Sequence, residues 1–226
     1  MYPQTQTAAQ TQVQAFFNRV YNWMGAGLLL TAAVAWFTAN NFALLSFVAS
    51  SFLFLFLAQL ALVFALGAML PRLSVAAATA MFFVYAFLNG LTLSGIFLAY
   101  TSTSIAAVFA VSAGMFVGLS AYGYLTKRDL SPLGRALVMA LIGLILAMLV
   151  NLFLRSDMLS FLLSLGGVVI FSALTAYDTQ KLKNMAQTGF ADGATGEKLA
   201  IYGALALYLD FINLFLNLLR LFGVRR

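Results

Sequence analysis

The sequence predicts an all-α polytopic membrane protein with seven transmembrane helices. Of its 226 residues, 63% are hydrophobic and 8% charged, where a soluble domain carries about 25% charged residues. Charge-free runs long enough to cross a bilayer follow one another along the chain. The basic residues gather in the short segments between those runs and in the tails, as membrane orientation requires.

The elements follow in order. The opening MYPQTQTAAQTQVQAFF has no basic region ahead of an apolar one, so it does not read as a cleaved signal peptide. Residues 1–20 read as a short, mobile, Gln/Thr-rich tail with Arg19 as its one charge, and residues 21–226 as a single transmembrane domain. Trp23 to Ala39 is the first span, closed by Asn40-Asn41. Phe42 to Leu70 is the second; its 29 residues exceed the hydrocarbon thickness and predict tilt or protrusion. Pro71-Arg72 stops it.

Leu73 to Thr126 holds no charge over 54 residues, too long for one helix, and the turn-prone YTSTS at Tyr100 to Ser104 divides it into the third and fourth spans. Lys127-Arg128-Asp129 with Ser131-Pro132 ends the fourth. Ala136 to Leu154 and Met158 to Tyr177 are the fifth and sixth, separated by Arg155-Ser156-Asp157. A polar loop with Gly189, Gly193 and Gly196 leads to the seventh, Leu199 to Leu219. With alternating helices and a cytoplasmic N-terminus, eight Lys and Arg fall on the cytoplasmic side and four on the other, which favours N-in and C-out. Arg220, Arg225 and Arg226 oppose that count.

Composition also excludes. There are no cysteines and no histidines, which removes disulfides, thiolate and imidazole metal sites and every His-dependent triad. A net charge of +6 without basic-aromatic interleaving speaks for membrane orientation and against a nucleic-acid surface. Without the usual neutral-pH sensor, proton sensing would fall to carboxylates.

Two carboxylates stand out. Asp210 interrupts the apolar LYLDFINLF, at a cost of roughly 2.5–3.5 kcal/mol near the centre of a membrane helix. Gly203, Ala206, Asp210, Asn213, Asn217 and Arg220 recur at steps of three or four and form one small-and-polar stripe that must face protein or water. Asn213 and Asn217 read as interhelical hydrogen-bonders or as pathway residues. Asp178, in ALTAYDTQKLK, ends the sixth span and is either an ordinary interfacial carboxylate near Lys181 or a functional one. Depth separates the pair, because Asp210 lies 12 residues, or ~18 Å of helix, beyond Lys198. Gln59 and Asn89 are buried hydrogen-bonders or pathway residues, and Arg72 is a cation on the Asp178 side. Gly114 with Gly118, and Gly90 with Ser94, predict close helix contacts.

LALYLDFINLFLNLLRLFG (Leu205 to Gly223) resembles the last transmembrane helix of the Bax inhibitor family, the transmembrane Bax inhibitor motif group. AYDTQKLK (Ala176 to Lys183) is similar to the end of that family's sixth helix, and LNGLTLSGIF and the TKRDLS loop fit less specifically. The resemblance implies six helices surrounding a central, polar-striped seventh. It also implies that Asp178 and Asp210 share a proton and gate a calcium leak, with Arg72 able to latch an aspartate in the closed state. Short length and absent cysteine suggest a bacterial member in the inner membrane.

Two carboxyls within hydrogen-bond reach in a desolvated site cannot both ionise easily, and their titration belongs to the pair. Calcium takes carboxylate, carbonyl and water oxygens. With two carboxylates and several amides on offer, Asp178 and Asp210 would form a weak transit site, with no tightly bound cofactor. The expected function is a pH-sensitive calcium leak, its partners being calcium ions, protons and the lipid bilayer. Two alternatives belong to other classes: a regulator that binds a membrane-bound quality-control protease through the N-terminal tail, as some bacterial relatives are associated with, and a proton-coupled transporter using the same aspartates. No enzyme is expected, since YLDF lacks the Gly-rich motif of intramembrane aspartyl proteases.

Overall fold

The computed structural model describes residues 3–187 and 193–226, with side-chain surroundings from residue 10 onward. The predicted loop position Gly189 lies outside the described residues. Among the described residues eight helices follow one another: α1 (Pro3–Ala39), α2 (Phe42–Met69), α3 (Val75–Leu93), α4 (Ile96–Ala99), α5 (Ser102–Leu125), α6 (Ser131–Leu154), α7 (Asp157–Met185) and α8 (Gly193–Phe222). Seven segments are long and apolar enough to cross a membrane, α4 completing the span that begins with α3.

Local chemistry sets the ends. The Asn41, Ser74 and Thr101 side chains each accept a bond from the backbone N–H three residues on, capping α2, α3 and α5. Pro71 turns the end of α2 into a 3-10 turn, Leu70–Arg72. Pro132 starts α6, and Arg155, at φ 50°, ends it in the left-handed region. The first helix departs from the sequence reading. Residues expected as a tail are helical from Pro3, and Val13, Phe16, Phe17 and Val20 are buried. Their spacing of three and four gives the segment an apolar face, which packs although the span proper begins later.

The chain forms two units. The first comprises Met1–Ala99 and Lys183–Tyr208. In it α1 and α3 approach closely, because Gly90 faces the Thr31 carbonyl and Val34, and Gly27 faces the Phe82 ring. Val48, Leu55 and Leu91 form an apolar cluster with Val34 and Leu88. Gln59 Nε2 donates to the Leu88 carbonyl (3.4 Å) and to Thr92 Oγ1 (3.3 Å), tying α2 to α3. At one end Glu197 accepts from Trp23 Nε1 (3.1 Å) and pairs with Arg19 (3.4 Å).

The second unit comprises Tyr100–Leu182 and Leu209–Arg226. Here α5 meets α7 where Gly123 lies against the Ala176 backbone, and α6 meets α7 where Gly134 lies against the Tyr177 ring. The expected contact at Gly114 and Gly118 is not made. Both are exposed, with open space where a Cβ would stand. The GxxxG pattern lies on the outward face of α5, and a different glycine of the same helix makes the close approach.

Burial differs sharply among the spans. In its most apolar stretch α8 is 67% buried, against 11% for α6, whose Leu152, Phe153 and Leu154 lie on the outside with the lipid-compatible surface. A mostly buried helix is the one that can carry polar side chains away from lipid.

Candidate functional site

Asp178 and Asp210 both belong to the second unit. The segment of α7 around Asp178 is held at every other nearby residue. Gly123 packs on Ala176 and Gly134 on Tyr177. Thr179 donates to the Thr175 carbonyl (2.7 Å), and its hydroxyl lies 2.9 Å from that of Ser120. Gln180, buried, closes on the α5–α6 loop from both sides. Its Oε1 accepts from Leu130 N–H and its Nε2 donates to the Arg128 carbonyl, each at 2.7 Å. Asp178 itself is half-buried, and the nearest opposite charge acting on it is Lys181, one turn on, without an ion-pair contact among the described residues.

Asp210 is buried on α8, and among the described residues its Oδ2 has no hydrogen-bond partner. The charged group that acts on it is Asp178. Both helices run beyond the charge-free spans read from the sequence, α7 to Met185 and α8 from Gly193. The adjacent Phe211 is fixed by edge-on rings of Phe109 (5.3 Å) and Phe116 (5.6 Å). These contacts lock the rotation of α8 and with it the direction of the carboxyl.

Asn213 and Asn217 each donate one amide proton to a carbonyl of their own helix, Leu209 at 2.8 Å and Asn213 at 2.7 Å. Asn217 Oδ1 is buried and unpartnered among the described residues. Gly167 of α7 makes the room, since a Cβ there would run into the Asn217 carboxamide. Asp210 and Asn217 thus offer buried acceptor oxygens seven residues apart, or ~10 Å along the helix. Ser172 Oγ on α7 is likewise buried and without a partner among the described residues. Such a line of acceptors suits a proton or a cation. Among the described residues there is no group of three or more acidic, His or Cys side chains that could hold a metal.

The remaining predicted residues lie in the first unit. Asn89 is buried and donates to Tyr208 Oη (3.1 Å) and Tyr85 Oη (3.4 Å). Thr31 donates to the Ala86 carbonyl (2.8 Å), and its hydroxyl lies 2.7 Å from that of Tyr208. With its proton committed to Ala86, Thr31 accepts from Tyr208. Asn89 and Gln59 are thus satisfied hydrogen-bonders of that unit. Arg72 ends the 3-10 turn after α2, exposed and without an ion pair among the described residues. Sequence reasoning missed Tyr208 and Gln180. A mid-span tyrosine needs a partner for its hydroxyl, which was a usable signal. Nothing local marks Gln180, whose partners lie 50 residues away.

Fold and site together define a polytopic, seven-span membrane protein whose last helix buries a carboxylate under the influence of another from the helix before it. Residues 13–226 match the family described as "Inhibitor of apoptosis-promoting Bax1", and the chain belongs to that Bax inhibitor family. It is 51% identical to inner membrane protein YbhL of Escherichia coli K12, over 100% of this chain and 99% of that one. It is 52% identical to an uncharacterized protein of Deinococcus radiodurans, over 96% and 94%, and 45% identical to one of Borreliella burgdorferi, over 93% and 92%. The chain is a Bax inhibitor family protein of the bacterial inner membrane.

Proposed function

We propose that this protein is a pH-sensitive calcium leak whose gate is the Asp178–Asp210 pair. The observation that carries the reading is the placement of Asp210: a buried carboxyl with an unpartnered oxygen and with Asp178 as the charge that acts on it. When the pair holds one proton between them, it ties α7 to α8. When both ionise they repel, and a cation offsets the charge. The acceptor oxygen of Asn217 extends the path for an ion that has left the pair. Calcium fits as cargo because it accepts irregular oxygen coordination completed by water. The absence of histidine leaves carboxylates as the groups able to respond near neutral pH.

The test is calcium entry into dye-loaded proteoliposomes between about pH 5.5 and 8, comparing wild type with Asp178→Asn and Asp210→Asn. Passive flux whose pH dependence is lost in both variants is the expected result. Flux that is absent in wild type, or identical in all three, would sink the gate. Saturable uptake that requires an imposed proton gradient would instead favour a transporter. Arg72→Gln examines the latch separately, with a leak that no longer closes as the expected outcome.

A further inference from the structure

The arginines at the end of the chain are not absorbed by the acidic gate, and they opposed the charge count that set orientation. The second unit gives them a setting. An open groove of about 600 Å³ runs beside the start of α5 and the end of α8, within the roughly 300–1,000 Å³ of ordinary ligand pockets. Its walls are apolar: Ala107, Val108 and Val111 from α5, Leu218 and Phe222 from α8, and Val224 from the tail. The tail is held in place rather than left to wander. Val224 N–H donates to Ser104 Oγ (2.9 Å), the Val224 carbonyl accepts from Thr101 N–H (3.1 Å), and Tyr100 pairs with Arg225 as an isolated antiparallel bridge. Gly223 permits this turn, because a side chain there would strike the Tyr100 ring and the Leu219 carbonyl.

The result is an apolar groove in a membrane-spanning region with a cationic end. Arg225 and Arg226 are exposed, and no acidic residue occurs in 100–125 or in 211–226 to neutralise them. An occupant that satisfies both parts has a hydrocarbon tail and a negative head. We propose that this groove binds an anionic phospholipid, with an acyl chain along Ala107, Val111 and Phe222 and the headgroup phosphate met by the C-terminal arginines. Arginine suits phosphate because its planar fork donates two parallel hydrogen bonds. Each basic residue near a membrane surface adds measurable attraction for anionic lipid. The pinned backbone places Arg225 and Arg226 directly after Val224, which lines the groove.

The test is native mass spectrometry of the full-length protein titrated with dioleoyl phosphatidylglycerol or dioleoyl phosphatidylcholine. Wild type should retain the anionic lipid about tenfold more tightly than the zwitterionic one. The double variant Arg225→Gln/Arg226→Gln should lose that preference, and Arg225→Lys/Arg226→Lys should keep most of it. Ala107→Phe, at an exposed position where the added ring occupies the groove, should weaken retention of both lipids. Equal retention of the two lipids by wild type would overturn the proposal. So would a preference that survives the double glutamine variant, or retention unaffected by Ala107→Phe, which would leave a headgroup contact with no groove behind it. None of these readouts depends on ion flux.

Discussion

Replacing Gln180 with alanine probes how the Asp178 segment is held. The glutamine makes two 2.7 Å hydrogen bonds to backbone groups of the α5–α6 loop. Each contributes roughly 0.5–1.5 kcal/mol net, and a buried N–H left without a partner costs about 1–3 kcal/mol. Leu130 is buried, so its N–H is such a group, whereas the Arg128 carbonyl belongs to an exposed residue and can turn to water. The expected loss is about 2 kcal/mol of local stability, or roughly thirtyfold in the opening equilibrium. Hydrogen exchange resolved at the Leu130 amide reads this directly, because exchange there requires the clamp to open. The Gln180→Ala protein should exchange about thirtyfold faster at Leu130, with amides of α6 beyond its first two turns unchanged. Gln180→Glu keeps an acceptor for Leu130 N–H but sets a carboxylate against the Arg128 carbonyl, and should fall between the two. If Leu130 exchanges at the wild-type rate in Gln180→Ala, the clamp does not hold the loop and the reasoning fails. Because Asp178 lies two residues away on the same helix, the proposed gate requires that the alanine variant also shift the pH midpoint of any calcium flux without abolishing it. A structural role unconnected to the gate would change yield or stability and leave that midpoint alone.

Three further outcomes follow from the same geometry. Gly123→Ala drives a Cβ into the Ala176 backbone, which cannot rotate away, so it should cost about 1–3 kcal/mol as an overpacked contact; the same change at Gly114 should be nearly silent in thermal unfolding. Tyr208→Phe removes the hydroxyl that meets Thr31 and Asn89 and should lower stability by roughly 0.6–1.7 kcal/mol, the range of membrane hydrogen bonds, with Asn89→Ala adding little more in a double-mutant cycle. Asp129, in the α5–α6 loop, is held below the usual carboxylate range by the bond its Oδ1 accepts from Ser131 N–H (2.9 Å) and then by the Ser131 hydroxyl. A lowered folded value means that its contribution is present above the ordinary carboxylate pKa and is lost as pH falls through the folded one. Acid titration followed at the Ser131 amide should therefore show a transition below the ordinary carboxylate range that disappears in Asp129→Asn.

Much of this protein was legible from the sequence alone. Lipid forbids unsatisfied backbone and charge, so charge-free length, proline and the placement of Lys and Arg were sufficient to count seven spans and set most of their limits. The same restriction makes Asp210 conspicuous, and helical spacing puts Asn213 and Asn217 on its face. Tertiary structure decided what those rules leave degenerate. Gly114-x-x-x-Gly118 and Gly123 occur in one helix, and only the neighbouring helices determine that Gly123 packs while the motif faces outward. The first helix continues back past Val13 because its apolar face finds partners there, which composition could not reveal. The clamp of Gln180 on a loop 50 residues away and the pairing of Arg225 with Tyr100 both depend on contacts distant in sequence. Local pattern fixes which segments enter the membrane because every such segment meets the same solvent; which face turns inward depends on the shapes of the other helices.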